Sequence, residues 1–191
     1  MTDPRLKVIV GITGATGAIY GVRILERLRE AGVETHLVIS RWGARTLLHE
    51  TPHSREYVES LATTAYRPAD MGAAISSGSF RTDGMLIAPC SAKSLAAIAH
   101  GFADNLIHRA ADVVLKERRR LVLAVREAPL SDIHLENMLK LSRMGAVMLP
   151  PMPAFYQKPQ TVDDIVEHTV ARMLDQFGIE IPGALRWAGE M

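Results

Sequence analysis

Residues 118–131 read RRRLVLAVREAPLS and set two opposite charges, Arg126 and Glu127, directly after the unbroken apolar run 121–125. A continuous apolar run marks a strand buried on both faces. A charge pair at its end is therefore either an ion pair between neighbours or a cation and a carboxylate displayed for chemistry, and these residues alone slightly favour the ion pair. A second stretch, GITGATG (11–17), places glycines at 11, 14 and 17 between a strand and a helix. Glycine there lets the backbone approach a ligand closely, so that amides at the helix start face a phosphate with the helix dipole behind them. A nucleotide or phosphate ligand is favoured over an empty tight turn. TGATG also occurs in the extended dehydrogenase type of NAD(P) fold. That reading wants an acid after the second strand, where Ser40-Arg41 stand, and a tyrosine with a lysine four residues on, which this chain lacks.

Four further stretches carry candidate chemistry. PCSAKS (89–94) offers Ser91 as a helix cap and Ser94 in the first turn, and a cap explains only one of them. Cys90 reads as a buried small residue rather than a nucleophile, since no histidine stands near it in sequence. SSGSF (76–80) is as readily an ordinary polar loop as a set of donors beside Phe80, whose flat apolar face suits a ring or an allyl group. Arg109 and Lys116 share a helix face with Asp112 between them, the pattern of a solvated, salt-bridged surface. Tyr156, Lys158 and Arg172 add cations and a phenol able to hold an anion. The histidines show no metal-ligand spacing, so no metal is assigned. DDIVE (163–167) superficially resembles a magnesium-binding acidic motif. Thr161 and Asp164 instead have the spacing of a capping box at a helix start, where acids are favoured.

These residues need elements to position them. LKVIVGI (6–12), THLVIS (35–40), GMLIAP (84–89), residues 121–125 and AVMLP (146–150) read as strands, and helical spacing covers 18–31, 91–99, about 105–119, 133–144 and 162–177. Residues 41–83 are less regular. Alternating strand and helix with unbroken apolar strands predicts an α/β fold: a three-layer, Rossmann-like or flavodoxin-like domain with a mainly parallel sheet covered by helices on both faces. Ligands of such sheets sit outside the carboxyl ends of the strands. GITGATGA, Ser40-Arg41, PCSAKS and Arg126–Glu127 all follow strands and meet on that one rim.

With 191 residues, 48% apolar and 23% charged, the chain fits a single domain over 1–191. A net charge of +1 and only two Trp, four Tyr and four Phe give no basic, aromatic-studded surface for nucleic acid. The apolar stretches fall short of a membrane span and the first residues carry no signal pattern. A single cysteine fits a reducing compartment, so a cytoplasmic chain is expected.

GITGATGA, SSGSF, the ordered block 88–159 (opening APCSAKSLAAIAHGFADNLIHRAADVVLKERRR) and ARMLDQFGI resemble the UbiX family of flavin prenyltransferases over nearly the whole chain. The resemblance implies an enzyme that binds reduced FMN and joins the dimethylallyl group of dimethylallyl monophosphate to N5 and C6 of the flavin. The prenylated FMN so formed serves UbiD-type decarboxylases, and family members form homo-oligomers, typically dodecamers, with sites at subunit interfaces. Carried over, the FMN contacts fall on Gly14, Ala15, Thr16, Ser40, Ser91, Ala92, Lys93, Ser94 and Arg126. The allyl-phosphate contacts fall on Tyr156 and Arg172, the catalytic set on Thr16, Glu50, Arg109, Lys116 and Glu127, with Lys116 also holding the leaving phosphate, Phe80 near the prenyl group and Trp187 near the phosphate. Thr16 stands where many members have serine and keeps the hydroxyl, whereas Ala128 stands where threonine is common and loses one. Two rival expectations are an FMN-dependent decarboxylase of cysteine-derived substrates, whose Pro-x-Met-Asn motif is replaced here by PPMPAFYQKP, and a non-catalytic FMN carrier.

Overall fold

Six strands, β1 (Lys7–Ile12), β2 (Glu34–Ile39), β3 (Thr64–Tyr66), β4 (Gly84–Cys90), β5 (Arg120–Val125) and β6 (Val147–Met148), form one sheet in the order β3-β2-β1-β4-β5-β6. Every neighbouring pair is parallel. This is a computed structural model, and it describes residues 5–184, 186, 187 and 189. Among the described residues six α-helices connect the strands and a seventh follows the last one: α1 (Ala18–Glu30), α2 (Arg41–Glu50), α3 (Arg55–Leu61), α4 (Ala92–Ala99), α5 (Leu106–Lys116), α6 (Asp132–Arg143) and α7 (Val162–Leu174).

β1, β4 and β5 are apolar beyond their first residues because each face meets a helical layer. Val8, Val10 and Ile12 of β1 pack with α1, α2, α3 and α7, while Ile9, Met85 and Ile87 pack with α4, α5 and α6. The result is the expected three-layer α/β arrangement with a flavodoxin-like parallel sheet. Among the described residues no helix is long and apolar enough to cross a membrane.

Three elements lie in the stretch that reads as irregular. α2 buries only Gly43 and Leu47, and α3 only Val58 and Leu61, so neither carries a full apolar stripe. β6 is shorter than the expected 146–150: Leu149 donates one more amide to Leu123 O at 2.9 Å, and Pro150 and Pro151 have no N–H with which to continue. The last helix ends at Leu174 and tightens into a 3-10 turn, Asp175–Phe177, before Gly178.

α7 lies beside α1 and parallel to it, tied by Arg23 to Asp163 at 2.9 Å and Arg27 to Glu167 at 2.6 Å. Thr161 and Asp164 form a capping box at its start. Both aspartates of DDIVE thus serve the helix start and its docking. The sheet order reverses between β1 and β4, which places the topological switch point at the carboxyl ends of those two strands.

Candidate active site

Thr13, immediately after β1, fastens that switch point together. Its buried hydroxyl donates to Pro89 O at 2.7 Å and accepts from the Ser91 amide at 2.8 Å. The glycine loop and the start of α4 are therefore held as one unit. Gly14 is obligatory there, because a Cβ would stand 2.4 Å from Trp42 Cβ. Between these groups opens a cavity of about 330 Å³, lined by Gly14, Ser40, Trp42, Ser94, Ile107 and His108 among others. Ser40 caps α2 by accepting from Gly43 N at 2.9 Å, and Ser91 caps α4 by accepting from Ser94 N at 3.3 Å. The first amides of α4, those of Ala92 and Lys93, have no intrahelical acceptor. An apolar slot with two open amides and hydroxyls along one wall suits a flat ring system with a polar edge and an anionic tail. Ser40, Ser91, Lys93 and Ser94 line this cavity, as their place after the strands predicts.

Behind the wall runs a hydrogen-bonded chain that the sequence reading misses. Ser91 Oγ donates to Ser94 Oγ at 3.2 Å, Ser94 meets His108 Nε2 at 3.1 Å, and His108 Nδ1 meets Asp104 Oδ1 at 2.7 Å. The i, i+4 spacing of Asp104 and His108 at the start of α5 is visible in the sequence. Their contact with Ser94 is not, because it depends on α5 packing against α4.

The start of α1 departs from expectation. Its first residues follow a glycine cap, Gly17, that offers no side chain, and Glu50 from the end of α2 supplies the missing acceptor. The Gly17 and Ala18 amides donate to Glu50 Oε2 at 2.8 and 3.0 Å. These amides are thus spent on the protein's own carboxylate rather than facing a phosphate, and the helix starts that border the cavity are those of α2 and α4. Burial works to raise the Glu50 carboxyl, but hydrogen bonds from the Thr16 side chain and the two amides outweigh it and hold the group below the usual carboxylate range. Cys90 is fully buried and burial pushes its thiol up to about 12, so it is no thiolate nucleophile near neutrality.

Arg126 follows β5 beside the start of α4, its amide donating to Cys90 O at 3.0 Å. Arg126 and Glu127 are both exposed, and no ion pair joins them among the described residues. Glu127 Oε1 accepts from the Ala128 amide at 3.1 Å instead.

Other predicted residues lie elsewhere in the chain. Arg109 pairs with Asp112 at 2.8 Å and donates to Ser76 O at 3.1 Å. Lys116 pairs with Glu117 at 2.6 Å rather than with Asp112. Together with SSGSF they form a second polar cluster along α5. Phe80 is held at the amino edge of the sheet: its ring meets His36 edge-on, Lys7 Nζ lies 4.6 Å from its centroid, and its carbonyl accepts from Arg119 at 2.9 Å. One chain therefore does not bring Phe80 to the cavity, since the loop holding it leads into the start of β4 rather than away from a strand's end. Tyr156, Arg172 and Trp187 do meet, around a separate hollow of about 370 Å³. Tyr156 and Trp187 rings are 5.6 Å apart, edge to face, and Arg172 is held by Asp175 at 2.8 Å. This third cluster sits at the far end of α7, also toward the amino edge.

A family model described as Flavoprotein matches residues 1–174. A probable UbiX-like flavin prenyltransferase of Bacillus subtilis (strain 168) is 60% identical over 185 residues, covering 97% of this chain and 91% of the relative. The chain belongs to the UbiX-type flavin prenyltransferases. Within the family, a dodecameric FMN-dependent UbiX-like decarboxylase from Escherichia coli O157:H7 superposes with a TM-score of 0.95 at 64% identity, over 96% of this chain and all of that one. AnUbiX (PadA1), solved in complex with FMN and dimethylallyl pyrophosphate, superposes with a TM-score of 0.97 at 51% identity, over 98% of this chain and all of that one. The UbiX-type fold accounts for the cavity at the switch point, and membership makes this chain a flavoprotein.

Proposed function

We propose that this chain is a flavin prenyltransferase of one domain that moves the dimethylallyl group of dimethylallyl monophosphate onto reduced FMN. The observation that carries the reading is the pairing of two distinct hollows, the mainly apolar switch-point cavity and the polar Tyr156–Arg172–Trp187 cluster. A flavin carrier needs only the first. Transfer of an allyl group from a phosphate needs a second place that holds the leaving anion.

In this reading the cavity holds the flavin ring against Trp42 and Ile107, with its polar edge on Ser94 and the open amides of α4, its phosphate toward Ser40 at the start of α2, and Gly14 to Thr16 and Arg126 around it. Bound reduced flavin supplies two nucleophilic ring positions. Arg172 and Tyr156 hold the allyl phosphate by charge and hydrogen bond, and fixed cations replace the charge a metal would bring. Glu127 accepts a proton as the new bonds form. Thr16, in contact with Glu50, is a second proton path. Arg109 and Lys116 complete the phosphate site. The three clusters sit on different faces of one chain, so they complete one another between copies, and a dodecamer like that of the Escherichia coli relative supports such sharing. Prenylated FMN then passes to a UbiD-type decarboxylase.

The test is the mass of flavin extracted after reduced FMN and dimethylallyl monophosphate are supplied. Flavin heavier by one five-carbon isoprene unit is expected. Unmodified flavin together with carbon dioxide release from an acid substrate would establish a decarboxylase instead.

A further inference from the structure

His108 is 3% exposed and Ser94 5%, so the middle of the chain Ser91–Ser94–His108–Asp104 is closed to bulk solvent, with exposed Asp104 at one end and half-buried Ser91 at the other, and Ser91, Ser94 and His108 line the cavity. Its proton positions follow from its ends. Asp104 Oδ1 lies 2.7 Å from His108 Nδ1, and without a proton between them two lone pairs would face each other. Nδ1 therefore carries the imidazole proton. Asn105 Nδ2, 3.0 Å from the same nitrogen, is satisfied by Asp104 Oδ1 at 2.8 Å. Nε2 is left as an acceptor and takes the Ser94 hydroxyl proton. Ser91 donates its own to Ser94 Oγ and receives the Ser94 amide. Every proton of the chain points away from the cavity, toward Asp104.

We propose that Asp104 and His108 are positioning residues that fix the polarity of Ser94, making its oxygen an acceptor that selects a ring N–H of the ligand in the cavity. The inference rests on the flavin reading of that cavity and deepens it. A flavin ring carries such an N–H, and a wall of hydroxyls free to rotate would not discriminate it from a carbonyl.

The arrangement is sensitive to acid. Burial holds His108 below the ordinary histidine range of about 6.5, against the opposing pull of Asp104, and Lys93 lowers it further. The groups facing it are Asp104 and Asn105 from the loop before α5, Ser94 and Lys93 from α4, and Arg41 across the cavity. Once His108 is protonated, Nε2–H donates to Ser94 Oγ, and the Ser94 proton turns toward the cavity. Ligand N–H and protonated His108 then exclude one another.

The experiment titrates the intact protein with riboflavin, which lacks the phosphate whose own ionisation near pH 6 would intrude. The dissociation constant should be flat above pH 7 and rise up to about tenfold for each pH unit below the His108 pKa. His108→Leu should bind more weakly at pH 8 and lose that acid limb. The neutral imidazole of wild type, read by ¹⁵N NMR of labelled histidine, should be protonated at Nδ1 alone, which tests the assignment even if the variant does not fold. Affinity that stays level through the pH at which the ¹⁵N spectrum shows His108 becoming protonated, or a neutral imidazole protonated at Nε2, overturns the polarity assignment and leaves the flavin cavity standing. No riboflavin binding at any pH overturns both.

Discussion

Glu127 leaves β5 exposed, with Oε1 accepting one hydrogen bond, from the amide of Ala128. A carboxylate so lightly committed is poorly explained as structure, and proton transfer by a placed group is commonly worth about 10²–10⁴-fold. Glu127→Gln should keep flavin affinity within a factor of about two and slow prenylated FMN formation by that range. An unchanged rate would return the residue to the surface. Glu50 behaves differently because its charge is committed to α1. Its folded pKa is depressed, so its contribution to stability is present above the unfolded value of about 4.5 and is lost as pH falls through the folded one. Melts of wild type and Glu50→Gln should separate at pH 7, by about 0.5–1 kcal/mol for a partly solvated cap. They should converge in acid. Curves that separate only in acid would contradict the capping role.

Among the elements, the junction made by Thr13 is the most exacting. Thr13→Val keeps the shape of the side chain but strips the acceptor from the Ser91 amide and a donor from Pro89 O, both at the buried ends of β1 and β4. Leaving buried polar groups unpaired costs about 1–3 kcal/mol each, and for a chain of this size each kcal/mol lowers Tm by about 2–4 °C. Flavin affinity should fall with Tm, since the glycine loop and α4 would no longer share an anchor. A stable variant with weakened flavin binding separates the two effects; no change in either would remove the junction from the site. The long strands of this scaffold are legible because both faces are covered and their buried stretches are runs of apolar residues. α2 and α3 are not, since each buries two residues and so leaves no stripe to read. The same limit applies to the site. Ser40, Ser91 and Ser94 follow strands and are placed by chain order alone, whereas the partnership of Ser94 with His108 exists only through packing between helices. Phe80 was placeable in outline, because a residue four before β4 lies at the amino edge whatever its chemistry. Glu50 is the reverse case, a capping acid that no local pattern announces because the helix it caps begins 32 residues earlier.

For the molecule as a whole, the geometry to explain is the distance between clusters. α7 runs parallel to α1 in the register set by Arg23–Asp163 and Arg27–Glu167, so Arg172, one turn and more beyond Glu167, ends far from the loop where α1 begins. Arg172→Ala should therefore weaken dimethylallyl monophosphate at least tenfold in KM while sparing FMN, whose cavity it does not line. Turnover should persist in excess EDTA and survive Asp163→Asn. Strict magnesium dependence lost with Asp163→Asn would sink both the monophosphate assignment and the docking role of that aspartate. The separation also changes how defects combine. If each site draws its cavity from one copy and its Arg172 from another, no chain owns the reaction it supports. Two chains, one crippled at Glu127 and the other at Arg172, are each impaired at every site when alone, yet a random equimolar mixture rebuilds an intact pair at about one quarter of the sites. Inheritance of the activity is then a property of the population of chains, and a single damaged copy is rescued, or does harm, through its neighbours.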